Sequence, residues 1–304
     1  MYSKIGVVFQ ENTAEANVAQ ATKNGIVQAM QNLGLNFCEI PFTQDFVNDI
    51  KEHNVDVIFN AMHGKYGEDG YIQTILNAIE IPYTHSGVSA SQIGMNKVLT
   101  NIYAKSCAIP SLQSEVIIKD DILDGKYSIS RRSIIKPVAG GSSVATFILE
   151  SGEMLSKSQL SEVENFKDGS FFMIEEFFGG REVTVGILND EVIGSCKIIT
   201  SEEFYTYNAK YSSKQTIYEA PAQISEEMRE KIHHDAMKIY TSIGARSISR
   251  VDFLCDEHNY RFLEINTHPG MTATSLMPKI CAYEGISYEK IVEMLLEMAK
   301  FDAV

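Results

Sequence analysis

Arg250, Asp252, Glu264, Asn266 and Ser275 crowd into one stretch near the end of the chain, SRVDFLCDEHNYRFLEINTHPGMTATS. Val251–Cys255 and Arg261–Ile265 read as two strands joined by the polar turn Asp256–Asn259, the alternation and turn chemistry of a hairpin. Side chains two apart on a strand share a face, so Arg250 aligns with Asp252, and Glu264 with Asn266. Three oxygen-bearing side chains then converge. Hard cations such as Mg2+ take that donor type and keep phosphate oxygens and waters in their remaining positions, so the stretch reads as a nucleotide-metal site. The competing reading is a solvated hairpin edge; against it stands the cost of burying an unpaired carboxylate in apolar strands.

Three further segments carry chemistry-bearing residues. Gly140-Gly141-Ser142-Ser143 lies between two strands and follows Lys136-Pro137. Successive glycines let backbone N–H groups approach a phosphate, and the lysine adds a point charge, although the spacing is not a Walker motif and a glycine-rich turn is the plain alternative. Glu175-Glu176-Phe177-Phe178 ends a strand ahead of Gly179-Gly180-Arg181-Glu182, an arrangement able to hold an adenine and a ribose; singly, such carboxylates are more often surface charges. His63-Gly64-Lys65-Tyr66-Gly67-Glu68-Asp69-Gly70 follows an apolar strand and precedes a helix, which places an imidazole and free amides at a helix N-terminus. The other histidines, His233 and His234 included, lack ligand spacing and are expected at the surface. Ser142 and Ser275 have no nucleophile signature and read as hydrogen-bonding groups.

The elements that must position these residues begin with Ile5–Phe9, a short apolar run suited to a buried parallel strand. Asn12 or Thr13 is expected to cap a helix with Val18, Ile26, Met30 and Leu33 on its apolar face, ended by Gly34. Asn36–Phe42 and Val55–Met62 repeat the strand pattern around a helical Asp45–His53, so residues 1–90 read as a parallel α/β domain whose ligands collect at the strand ends. A helix from Ser89 to Ser106 leads into an α+β rhythm, with strands at Glu115–Ile118, Ser133–Pro137, Val144–Leu149 and Phe171–Glu176 and a helix at Ser156–Asn165. This is a central lobe, residues 91–178. In residues 179–304 two strands flank the Asn189-Asp190 turn. A polar loop, Ser201–Gln215, then precedes the helix Ser225–Ile243, the hairpin, and a last helix capped by Ser287 with Ile291, Leu295 and Met298 on one face. The length and polarity of the 201–215 loop predict a lid.

The chain of 304 residues is long enough for two or three units of roughly 100 residues each. A formal net charge of −14 argues against nucleic acid or a polyanionic membrane as partner. Cys38, Cys107, Cys196, Cys255 and Cys281 show no CxxC spacing and sit in apolar contexts, as reduced structural thiols would. No secretory signal is visible in MYSKIGVVFQENT and no apolar run is long enough to span a bilayer, so a cytoplasmic location is expected.

HGKYGEDG, Met95-Asn96-Lys97, IIKPVAGGSSVAT, MIEEFFGGREVTVGIL, YNAKY, ISRVDF and LEINTHPGMTATSL occur in order and spacing that resemble the D-alanine–D-alanine ligases, a branch of the ATP-grasp superfamily. The resemblance covers nearly the whole chain and implies a three-lobed ATP-grasp fold, α/β and α+β, with an N-terminal parallel α/β domain. It assigns Lys97 and Lys136 to the ATP phosphates, Glu175, Glu176 and Phe178 to the adenine strand and Glu182 to the ribose. It makes Asp252, Glu264 and Asn266 the ligands of two Mg2+ ions, for which Mn2+ can substitute. Glu15 would receive the ammonium of the first D-alanine, with Ser142 and Tyr211 as its hydrogen-bonded partners. His63 would lie at the substrate, and Lys210 would pair with its carboxylate or phosphate. Arg250 and the Gly270 amide would stabilise an oxyanion, and Ser275 would hold the second carboxylate. The first loop departs from the family pattern: Phe9-Gln10-Glu11-Asn12-Thr13-Ala14-Glu15 lacks the usual glycine pair.

The implied reaction converts one D-alanine to an acyl phosphate with ATP and lets the amine of a second attack it, giving D-alanyl-D-alanine for peptidoglycan precursors. Two alternatives remain open, a ligase using D-serine, D-lactate or another amino acid, and a non-catalytic nucleotide-binding protein. Retention of Arg250 and all three metal ligands favours catalysis, and the AKY motif favours an amine nucleophile. A homodimer is expected, with D-alanine and ATP as small-molecule partners.

Overall fold

The computed structural model describes residues 2–10, 16–140, 144–200 and 216–302. Glu15, Ser142, Lys210, Tyr211, the 201–215 loop and the cap at Asn12 or Thr13 lie outside the described residues. Three separate sheets organise the rest. In the first, β1 (Ile5–Phe9) lies between β2 (Phe37–Pro41) and β3 (Val57–Asn60), both parallel to it. Helix α1 (Ala16–Asn32) buries Ile26 and Met30 beneath this sheet and is followed by Gly34, whose φ of 66° favours a residue without a Cβ. Helix α2 (Phe46–Glu52) buries Phe46 and Ile50, and α3 (Tyr71–Ala78) starts directly after the HGKYGEDG loop.

The single helix expected from Ser89 to Ser106 is two. α4 (Val88–Met95) stops at Asn96, which takes an extended backbone and accepts from Val98 N and Leu99 N, both at 3.1 Å, to start α5 (Lys97–Ser106). The break is held from outside, because Lys97 N donates to Val138 O at 3.0 Å. It places Lys97 at the first position of a helix.

The second sheet is antiparallel, in the order β4 (Ser114–Ile118), β7 (Phe171–Glu176), β5 (Ser133–Pro137), β6 (Phe147–Leu149). α6 (Lys119–Leu123) and α7 (Lys157–Glu164) cover it, the latter opened by a capping box between Ser156 and Gln159. In the third sheet β8 (Arg181–Leu188) and β9 (Glu191–Ile199) meet at Asn189 and Asp190, with φ of 55° and 60°. Positive φ at both central residues matches a tight hairpin to the strand twist. β10 (Ile217–Glu219) flanks β9, while β11 (Ile248–Cys255) pairs with β8 and β12 (Tyr260–Asn266) with β11 at the edge. The apolar face of α8 (Glu226–Ser242) packs Ile232, Ala236 and Ile239 against Val185, Val251 and Phe253. The chain then returns: after α9 (Leu276–Tyr283), α10 (Tyr288–Glu297) packs Ile291, Val292 and Leu295 into one core with Val7, Ile26 and Met30 of the first sheet. No helix among the described residues is long and apolar enough to cross a membrane.

Candidate active site

The terminal hairpin forms with the register that the alternation demands. Arg250 stands opposite Asn266 and Asp252 opposite Glu264, and the turn closes when Asp256 Oδ1 accepts from His258 N at 2.7 Å and Asn259 N at 2.6 Å. Across the other edge of β11, Asp252 faces Thr184 of β8. Arg250, Asp252, Glu264, Asn266, Thr184 and Glu182 therefore share one face of the third sheet.

Asp252 is fully buried, and both of its carboxylate oxygens accept hydrogen bonds. Arg250 Nε donates to Oδ1 at 2.9 Å and Nη2 to Oδ2 at 2.9 Å, a bidentate fork, and Thr184 Oγ1 adds a third donor at 2.6 Å. Burial works against the charge on Arg250, but Asp252 first, then Glu182 and Glu264, hold the guanidinium pKa above its ordinary value. Arg250 is a permanently charged group in a fixed orientation. Lys97 connects this face to the central sheet: Nζ donates to Gly140 O at 2.6 Å and lies 3.5 Å from Glu264 Oε2. The lysine therefore sits where the Gly/Ser loop begins and the hairpin carboxylates end.

Lys136 and Glu175, on the neighbouring strands β5 and β7, form a buried ion pair at 2.5 Å. Glu176 accepts from Gln113 N at 2.9 Å and pairs with Arg131 at 3.2 Å. The Phe178 ring carries the Arg261 guanidinium 5.2 Å from its centroid. Gly180 admits no side chain, since a Cβ there would meet the Cys255 backbone at 2.7 Å. The strand end and the hairpin are thus in direct backbone contact.

His63 is buried, with Nδ1 3.0 Å from Glu68 Oε1 and Nε2 2.8 Å from Thr22 Oγ1. Both ring nitrogens are engaged, and Cε1 is 3.9 Å from a Cβ built on Gly270. That Cβ would also lie 3.0 Å from Ser275 Oγ, so His63, Gly270 and Ser275 converge. Ser275 occupies the N-cap of α9 without capping it; its hydroxyl turns into the loop, accepting from Thr272 N at 3.0 Å. The first-turn amides of α9 therefore keep capacity for an anion.

The expectation that the remaining histidines are surface residues fails at two positions. His85 and His268 are buried, their rings stacked at 3.8 Å and 14°. Burial, then His63, pushes the His85 imidazole down to about 3; burial, then His85 and His63, takes His268 well below its usual value. Nothing in the sequence joined two residues so far apart. Thr184 was also missed, although a hydroxyl inside the otherwise apolar VTVGIL run was a usable signal for a buried partner. The five cysteines are free, and burial pushes Cys196 up to about 11 and Cys255 and Cys281 to about 12, consistent with unreactive structural thiols. Among the described residues no three His, Cys, Asp or Glu side chains form a metal cluster; the hairpin set is two carboxylates plus an amide.

A sequence profile described as D-ala D-ala ligase C-terminus matches residues 123–297, and one described as D-ala D-ala ligase N-terminus matches residues 42–86. The D-alanine–D-alanine ligase of Chelativorans sp. (strain BNC1) is 36% identical, over 97% of this chain and 97% of the relative. The chain belongs to the D-alanine–D-alanine ligase family. D-alanine–D-alanine ligase B of Mesorhizobium japonicum is 35% identical over the same shares of both chains. Among solved structures, the D-alanine–D-alanine ligase from Bacillus anthracis complexed with ATP superposes with a TM-score of 0.80 at 26% identity, covering 97% of each chain. The ATP-grasp architecture of the family accounts for the three sheets.

Proposed function

We propose that this protein joins two D-alanines into D-alanyl-D-alanine, with ATP converted to ADP and phosphate, to supply the dipeptide for peptidoglycan precursors. The observation that carries this reading is the buried Arg250–Asp252 fork beside Glu264, with Lys97 bridging to Gly140. A protein that only bound ATP would not require a fixed arginine next to the metal-binding carboxylates.

In this reading residues 1–90 bind the first D-alanine through Glu15 and His63, and residues 91–178 cover ATP. Lys97 and Lys136 contact its phosphates, Glu175, Glu176 and Phe178 its adenine, and Glu182 its ribose. Residues 179–304 supply the lid and the reacting face. Asp252, Glu264 and Asn266 present oxygen donors on one sheet face, a set that fits two Mg2+ ions or Mn2+ in their place. When bound, the metal spreads the charge of the transferred phosphoryl group. Glu15, Ser142 and Tyr211 orient the first substrate, and Lys210 neutralises its carboxylate or phosphate. Arg250 and the Gly270 amide aim at the oxyanion formed when the second amine attacks, an interaction worth about 3 to 4 kcal/mol per donor. Ser275 and the start of α9 hold the second carboxylate. The working unit is a cytoplasmic homodimer, checked by sedimentation.

The deciding experiment measures phosphate release from ATP and Mg2+ with each D- and L-amino acid and D-lactate offered in turn, and identifies the product by mass. D-alanine is expected to give the fastest release together with the dipeptide. A preference for D-serine or D-lactate would move the assignment to a related ligase, and no amino-acid-dependent release would refute it.

A further inference from the structure

The loop from Thr267 to Ser275 follows Asn266 and carries Gly270 and Ser275, so its position decides where these two site residues lie. On one side Tyr288 of α10 holds it, the hydroxyl donating to Met271 O at 2.6 Å. His268, within the loop, stacks on His85 and meets the edge of His63 at 5.8 Å. His268 N donates to Asn266 Oδ1 at 2.9 Å, tying the stack to the hairpin end.

Two features of this pair are costly. His85 holds a φ of 72°, a left-handed backbone that β-carbon sterics disfavour. Thr84 Oγ1 accepts from Asn60 N at 3.1 Å and lies 2.9 Å from His85 Nδ1. His85 Nε2 and His268 Nδ1 are both buried without a hydrogen-bond partner among the described residues. A buried ring nitrogen left unpaired and a strained backbone persist where surrounding structure over-determines them, as at sites that fix a reacting geometry.

We propose that His85 and His268 are positioning residues: their stacked rings fix the Thr267–Ser275 loop, and through it the Gly270 amide and Ser275 hydroxyl that receive the second substrate. His85 belongs to the segment after the first sheet and His268 to the segment after β12, so the stack sets the distance between His63 and Gly270. The proposal deepens the D-alanine ligase reading and rests on it for its kinetic consequence.

The test compares His268→Ala, His85→Gly and His268→Phe with the parent protein. His268→Ala removes a ring, and His85→Gly removes the other while relieving the left-handed backbone. Both are expected to raise KM for D-alanine about tenfold, with KM for ATP changed by less than about twofold. Amide exchange in a peptide spanning the loop should speed up about tenfold in both variants. His268→Phe keeps a stacking ring and should recover most of both effects. Unchanged loop exchange and unchanged D-alanine KM in His85→Gly would overturn the proposal, as would a parallel rise in KM for ATP. Should His268→Ala fail to fold, His85→Gly decides alone. If the parent itself shows no D-alanine-dependent turnover, the ligase reading fails, and loop exchange still decides whether the stack positions the loop.

Discussion

Asp252→Asn separates the structural and chemical duties of the terminal hairpin. The carboxylate is fully buried and accepts from Arg250 Nε and Nη2, each at 2.9 Å, and from Thr184 Oγ1 at 2.6 Å. An asparagine keeps the shape but offers one oxygen, and turns an amide either toward the guanidinium, which can only donate, or toward Thr184, whose hydroxyl must then rotate to accept and gives up its bond to the carboxylate position. Removing one partner of a buried ion pair costs about 3 to 5 kcal/mol. Glu182 and Glu264 still act on Arg250, so the loss should lie near the lower end, about 3 kcal/mol. A chain of this size loses about 1.5 to 2 °C of Tm per kcal/mol, which gives a drop of about 5 °C. Melting is followed by circular dichroism without nucleotide or metal, so that ligand binding does not contribute. Arg250→Gln and the double variant complete the cycle; the double should melt higher than the sum of the single losses, because it leaves no unpaired cation. Turnover with saturating Mg2+ should fall about a hundredfold or more in Asp252→Asn and stay low in the double variant. A Tm change below about 2 °C, or strictly additive losses, would refute the reasoning from the buried fork.

Acid should destabilise the fold through His85. Its folded pKa of about 3 lies below the ordinary 6.5, so only the unfolded chain binds a proton between those values. Stability is therefore intact above 6.5 and lost as pH falls, by about 2 kcal/mol at pH 5; denaturant melts of the parent and His85→Gly at pH 7 and 5 should show a smaller loss in the variant. Gly67→Ala places a Cβ 2.6 Å from Met62 Cβ and 3.0 Å from its carbonyl carbon, which should cost about 1 to 3 kcal/mol in urea unfolding. Glu264→Gln, at a partly exposed residue beside Lys97, should lower turnover far more than Tm. Normal turnover in saturating Mg2+ by a coupled ADP assay would remove Glu264 from the metal set.

Local signals in the sequence determined much of the frame. Period-two alternation and an Asx turn fixed the hairpin and with it the shared face of Arg250, Asp252, Glu264 and Asn266, because a strand offers only two faces. Ser156, Ser225 and Ser287 mark helix starts by accepting from their own first turns, and Gly34 marks an end by its left-handed φ. These features depend on residues within a few positions of each other. The order of the motifs also identified the family. Tertiary structure alone decided what those faces touch. Helical periodicity ran straight through Asn96, and the break there is held by Val138, the residue that follows β5. Lys136 and Glu175 read in sequence as separate ligand groups, and only the pairing of their strands brings the two charges together. His85 and His268 carried no pattern, since the packing of distant segments, rather than spacing, excludes water from both rings. α10 reads as an ordinary amphipathic helix, and only packing sends it back to the first sheet, because an apolar stripe specifies that it must be covered and leaves the partner to be chosen by shape.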